Sequence, residues 1–279
     1  MTLMVSGCGG LAIVNAISPS SHYVKHADIR YGAHERNLLD YYEPKSAAAN
    51  APRVIFFYGG GWKDGAKHQY EFVASALTEA GFHVFIPDYR LHPLVQFPAF
   101  VDDGAEAIAW VMEHVSSDPH TSGVYLMGHS SGAHIAALLA TDQQYLNRFS
   151  LAPSSIHALI GLSGPYDFLP IRSGYLTEVF PEPTRSDSQP IRFVTKRTPS
   201  TLLIHGLDDD VVEPGNARRF AAALRKSEVD VDLRLYDGSG HAAVAAALAP
   251  RLQFIADTLD DTIAFIHAQH QVQDSEGSR

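Results

Sequence analysis

Apolar positions divide the chain into short, mostly apolar runs separated by longer segments of helical period. The runs at 53–58, 82–87, 124–127, 156–164 and 200–206 have no polar face, as strands covered by helices on both sides must lack one. Between them, residues 69–80, 100–113, 133–141, 216–227 and 252–267 read as helices. Gly81 closes the first, and Trp110 reads as a core residue of the second. Asp102 and Asp103 open that second helix, where negative charge suits the helix dipole. Polar and apolar residues alternate at 27–31 and 36–42 about a turn at Gly32, which reads as an edge hairpin with one wet face. Residues 229–236 alternate as a last edge strand would. The rhythm predicts an α/β protein with a mostly parallel central sheet and helices on both faces. It breaks at 165–197, rich in proline and aromatic residues and without a long periodic segment. That stretch is expected to be a small cap-like insertion after the Ile156–Leu162 strand. Tyr166, Phe168, Tyr175, Leu176 and Phe180 are its candidate pocket walls. The expected organisation is an N-terminal arm or signal remnant over 1–25, one domain over 26–270, and a disordered tail over 271–279.

Composition narrows the partners more than the fold. The formal net charge of −10, with no lysine-rich run, argues against a protein that grips a nucleic-acid backbone. It suits a neutral or cationic small substrate better. Cys8 is the single cysteine, so neither an internal disulfide nor a cysteine zinc site is possible. The 15 histidines are scattered, without a His-Glu-x-x-His spacing, and neither a metal nor a cofactor is expected. No apolar run reaches transmembrane length. Val5-Ser6-Gly7-Cys8 resembles the lipobox at which bacterial lipoproteins are cleaved, but the basic start and long apolar stretch of a signal are missing before it. Two expectations follow: a cytoplasmic protein with an apolar N-terminal arm, or an envelope protein with a lipid anchor on Cys8. Oligomeric state is not legible.

Candidate chemistry concentrates at three places. Gly128-His129-Ser130-Ser131-Gly132 has the G-x-S-x-G spacing in which a serine stands on a sharp strand-to-helix turn, with strand before and helix after. Gly59-Gly60-Gly61-Trp62 follows a buried strand directly. Bare glycines there suit an oxyanion hole formed by the amides of Gly60, Gly61 and Ser131, the alternative being a hinge or crossover turn. A serine needs a base, and the base needs an orienting acid. His241, in a glycine-flanked loop after the last strand, is the candidate base. The acid is expected among Asp208, Asp209 and Asp210, after the preceding strand. His129, His134 and His205 read as core or supporting residues. Asp88 and Arg90 are expected to pair and brace the loop floor.

These segments together resemble the α/β-hydrolase superfamily, on the esterase branch that holds hormone-sensitive-lipase-like carboxylesterases, feruloyl-esterase-like proteins and kynurenine formamidases. Tyr58-Gly59-Gly60-Gly61-Trp62 is similar to the family's His-Gly-Gly-Gly-Trp oxyanion motif, with tyrosine where histidine is usual. Asp88-Tyr89-Arg90-Leu91 with Phe97-Pro98-Ala99 matches another family segment, and Gly240-His241 matches the base loop. His205-Gly206-x-x-Asp209-x-x-Val212-x-Pro214 matches the acid loop, and this match favours Asp209. The Gly-His-Ser-Ser-Gly elbow departs from the Gly-Asp-Ser-Ala-Gly of hormone-sensitive-lipase relatives, toward the feruloyl-esterase and formamidase neighbours. The resemblance implies an α/β-hydrolase fold and a Ser130, Asp209, His241 triad. It implies a serine carboxylesterase acting on small to medium acyl, including aryl, esters, or alternatively an arylformamidase-type amidohydrolase.

Overall fold

A computed structural model describes residues 14–48, 50–115, 123–171 and 174–277. Eight strands form one sheet in the order β1-β2-β4-β3-β5-β6-β7-β8. They are β1 Tyr23–Arg30, β2 Leu38–Pro44, β3 Arg53–Phe57, β4 His83–Pro87, β5 Val124–His129, β6 Ile156–Leu162, β7 Ser200–Gly206 and β8 Val231–Tyr236. β1 and β2 are antiparallel to each other, and β2 is antiparallel to β4. The other pairs are parallel, so the loops after β3, β5, β7 and β8 share one rim of the sheet. The mostly apolar runs become the central strands. Every residue of β3 and β5 is buried.

Helices cover both faces: α1 Glu71–Glu79, α2 Ala99–His114, α3 Ser131–Thr141, α4 Gly174–Val179, α5 Gly215–Lys226, α6 His241–Ala246 and α7 Thr258–Gly277. This is the α/β-hydrolase architecture that the sequence implied. α3 is apolar nearly all round because it is sandwiched between α2 and the strands β3, β5 and β6. Residues 165–197 hold α4 and several short helical turns.

Some expectations are corrected. Asp88 and Arg90 do not pair. Arg90 instead grips Asp103 of α2, with Nε 2.9 Å and Nη2 2.7 Å from the carboxylate, which also accepts the Arg90 N–H at 2.8 Å. Asp103 is 1% exposed, and an unpaired carboxylate at that depth would be far too costly to keep charged. Its role is therefore this pair rather than the helix dipole. The Asp88 carboxylate turns away to accept the Tyr58 hydroxyl and the Lys67 N–H, each at 2.8 Å. Trp110 is only half-buried and stacks on His114.

The ends of the chain also differ. β1 begins at Tyr23, inside the span assigned to the arm, and Asn15 accepts the Phe72 N–H at 2.9 Å at the start of α1. The last helix starts at Thr258, not near 252, and continues through Gly277, past the expected tail boundary at 271. No proline interrupts 271–276, and residues such as Gln271 and Gln273 carry helix readily. The lipobox-like segment ending in Cys8 lies outside the described residues. Among the described residues, no helix is long and apolar enough to cross a membrane.

Replacing Asp103 by alanine would leave the partly exposed Arg90 guanidinium with only water and the Ala99 carbonyl at 3.3 Å, and is expected to cost about 1–3 kcal/mol. Urea denaturation monitored by circular dichroism measures that loss; a change within experimental error would show that water replaces the pair at no cost.

Candidate active site

The turn from β5 into α3 is completed by one residue. Ser130 has φ 54 and ψ −122, a conformation that side chains other than glycine seldom adopt. Its N–H donates to the Leu162 carbonyl at 2.9 Å, and its carbonyl accepts the His134 N–H at 3.1 Å, so backbone bonds on both sides hold the strain. The flanking glycines are steric necessities. A Cβ on Gly132 would lie 2.0 Å from the Phe57 carbonyl oxygen, and one on Gly128 would lie 2.4 Å from the Gly132 carbonyl oxygen.

The three sequence-selected side chains meet at the rim. His241 Nε2 lies 2.8 Å from Ser130 Oγ, and His241 Nδ1 lies 2.8 Å from Asp209 Oδ2. Asp209 is buried, and its Oδ1 accepts the N–H groups of Val211 at 3.0 Å and Val212 at 2.9 Å. Burial raises the Asp209 carboxyl. Hydrogen bonds from His205 and His241, the imidazole charge and the Val212 N–H outweigh that and hold it well below the usual carboxylate range. Asp208 and Asp210 are exposed and make no contact with His241.

The glycine run lies across from the serine. Gly60 has φ 147 and Gly61 φ 61, and a Cβ on Gly60 would collide with the Asp64 carbonyl at 2.0 Å. No hydrogen bond among the described residues uses the N–H of Gly60 or Gly61. Ser131 is the first residue of α3, so its N–H has no intrahelical partner. Gly60 and Gly61 line the same cavity as Ser130. The loop is braced from below by Tyr58. Tyr58 is fully buried; its hydroxyl donates to Asp88 and accepts from Arg36 Nη2 at 2.9 Å. Arg36 Nη2 also reaches the Gly65 carbonyl at 3.0 Å, and the Tyr89 hydroxyl donates to the Tyr58 carbonyl at 2.8 Å.

A cavity of about 510 Å³ opens onto Ser130 and His241. Phe168, Tyr175 and Leu176 line it, as anticipated. Tyr166 and Phe180 do not: Tyr166 stacks on Phe220 of α5, and Phe180 packs edge-on against Trp62, each 0% exposed. Several wall residues escaped the sequence reading, Lys63 and Glu213 among them. The Lys63 ammonium sits 4.1 Å above the Tyr175 ring, and Glu213 follows the acid loop. Neither has a local pattern that separates it from an ordinary surface charge. Among the described residues, no group of three or more His, Cys, Asp or Glu side chains is arranged to hold a metal ion.

The other histidines support the site. His129 Nε2 donates to the His241 carbonyl at 3.1 Å. His134 Nε2 donates to the Ser188 carbonyl at 2.7 Å, while its Nδ1 accepts the Trp62 indole N–H at 3.2 Å. That bond ties α3 to the insertion on one side and to the glycine loop on the other. Burial, and for His129 also the neighbouring His241 charge, lowers their pKa values to about 3 for His129 and about 4 for His134.

This geometry defines an α/β-hydrolase-fold protein with a Ser-His-Asp constellation on the strand rim. A family model described as BD-FAE matches residues 39–224, and the chain belongs to that family. It is 31% identical over 247 residues to a probable isoprenylcysteine alpha-carbonyl methylesterase of Arabidopsis thaliana, covering 79% of this chain and 51% of the relative. It is 36% identical over 152 residues to the kynurenine formamidase of Danio rerio, covering 54% of this chain and 50% of the relative. The chain therefore spans about half the length of these curated relatives. Among solved structures, a truncated carbohydrate esterase from gut microbiota superposes with a TM-score of 0.78 at 22% identity, over 91% of this chain and 99% of the other.

The buried neutral imidazoles make stability depend on pH. The unfolded chain protonates both rings near 6.5, whereas the folded one does so only near 3 and 4. Acid therefore draws protons onto the unfolded state, and stability is lost as the pH falls below 6.5, on the order of 2 kcal/mol per ring by about pH 5. Urea titrations at pH 7 and pH 5 test this, and His129→Asn is expected to remove about half of the difference.

Proposed function

We propose that the protein is a serine carboxylesterase working through an acyl-enzyme, on small to medium acyl esters, including aryl ones. One observation carries the reading: an unbroken hydrogen-bonded line, Ser130 Oγ to His241 to Asp209 Oδ2, ends at the floor of an accessible cavity. In the proposed reaction His241 takes the Ser130 proton as Oγ attacks the ester carbonyl. The negative oxygen that forms is held by the amides of Gly60, Gly61 and Ser131, which need no reorganisation because the glycine loop is already braced. Collapse passes the proton from His241 to the leaving alcohol and leaves an acyl group on Ser130. Water, deprotonated by the same imidazole, then releases the acid. Asp209 stays ionised throughout and steadies the imidazolium.

Phe168, Leu176, Val211, Val212, Ala242 and Ala245 give the cavity mainly apolar walls. That supports an acyl or aryl group over the small polar formyl group, so the arylformamidase reading stands second. It keeps weight from the identity to a kynurenine formamidase. In the same reading, residues 165–197 serve as a small cap, and the partner is a small-molecule ester.

Ser130→Ala is expected to lower turnover of p-nitrophenyl acetate by roughly 10⁴-fold or more; undiminished turnover would end the nucleophile assignment. Asp209→Asn is expected to cost orders of magnitude where Asp210→Asn costs little, and the reverse order would move the acid by one position. A panel of p-nitrophenyl esters of rising chain length, feruloyl esters and N-formylkynurenine separates the two readings. Preference for the formyl substrate would replace the first with the second.

A further inference from the structure

Asp209 Oδ2 is shared by two imidazoles. Besides His241 Nδ1 at 2.8 Å, it lies 3.1 Å from Nε2 of His205, the penultimate residue of β7, whose ring is fully buried. The same Nε2 is 2.9 Å from the Val212 carbonyl oxygen. Both neighbours of Nε2 are acceptors, so it carries a hydrogen, and in the neutral ring Nδ1 then carries the lone pair. That Nδ1 is buried without a hydrogen-bond partner among the described residues. A polar atom left in this state carries a desolvation penalty that an aliphatic side chain in the same place would avoid. The penalty needs a counterpart, and the shared oxygen supplies one.

Resting on the triad reading, we propose that His205 is a positioning residue that sets the basicity of His241 by drawing charge from Asp209 Oδ2. A carboxylate that already receives a second imidazole N–H stabilises an imidazolium less. The bond from His205 therefore keeps His241 neutral, and ready to accept the Ser130 proton, to a lower pH than Asp209 alone would allow. Other charges near the pair are worse placed. Asp208, Asp210 and Glu213 on the acid loop and Asp237 on the base loop are exposed, as are Lys63 and Asp64 across the cavity, and water screens them. Tyr70 and Tyr175 are phenols kept neutral by burial. His129, itself buried and neutral, bonds the His241 backbone and not the carboxylate.

The test is the pH profile of kcat/KM on p-nitrophenyl acetate between pH 5 and 9. His205→Leu, which has no donor, is expected to move the acid limb up by about one pH unit. His205→Gln, which can still donate, is expected to keep the wild-type limb. An unmoved limb in a folded leucine variant, or equal shifts in both variants, overturns the proposal. Should the leucine variant fail to fold, His205→Phe fills the ring volume without a donor and is read the same way. Nitrogen-15 NMR of the wild-type protein gives an independent reading: the Nε2–H tautomer is expected for His205 at pH 7, and the Nδ1–H tautomer overturns the proposal. If Ser130→Ala retains wild-type turnover, the triad itself fails. An intact triad with an unmoved limb sinks only the role of His205.

Discussion

The approach of α3 to β3 is the constraint on which the rest of the site depends. Gly132 lies so near the Phe57 carbonyl that a single methyl group would overlap it, and this closeness forces the chain to reverse on one residue. The reversal drives Ser130 into a positive φ and lifts its hydroxyl clear of the sheet. It also brings the first free N–H of α3 alongside the hydroxyl. A nucleophile, a donor and the strain that holds them arise from one steric fact. The apolar character of α3 is part of the same arrangement, since a helix pressed this closely between strands and α2 has no wet face to offer.

The glycine loop meets a different demand. It must present bare amides, so its own hydrogen bonds have to come from elsewhere. Tyr58, Arg36 and Asp88 provide them from beneath, with Tyr58 stacked between Tyr70 and Tyr89 at centroid distances of 5.8 and 4.6 Å. A phenol is longer than an imidazole, and its hydroxyl reaches Asp88, beyond the end of the neighbouring strand β4. The anchor of the loop thus lies in the floor below it.

What could be read from sequence follows from how local each signal is. The central strands were legible because a strand covered on both faces must be apolar throughout. The elbow was legible because its serine and both glycines fall within five consecutive residues, even though the contact that requires Gly132 is with Phe57 on β3. The choice of Asp209 among three adjacent aspartates needed the resemblance, for nothing local tells which carboxylate turns inward to the N–H groups of Val211 and Val212. Arg90 was assigned the wrong partner because Asp103, though only thirteen positions away, is brought to it by the packing of α2. Tyr166 and Phe180 read as pocket walls because an aromatic residue in an irregular segment looks alike whether it faces a cavity or the body. Only tertiary contact with Phe220 and Trp62 separates the two.

The hydrogen bond from His134 of α3 to residues 165–197 ends on a main-chain carbonyl, that of Ser188, and not on a side chain. Every amino acid carries that atom. A side-chain change at position 188 therefore leaves that hydrogen bond in place, whereas Phe168 and Phe180 of the same segment hold the His134 ring through their own side chains. Phe168 thus has two duties, as a cavity wall and as part of the grip on α3, so a change of lining at that position also touches the anchor of the segment.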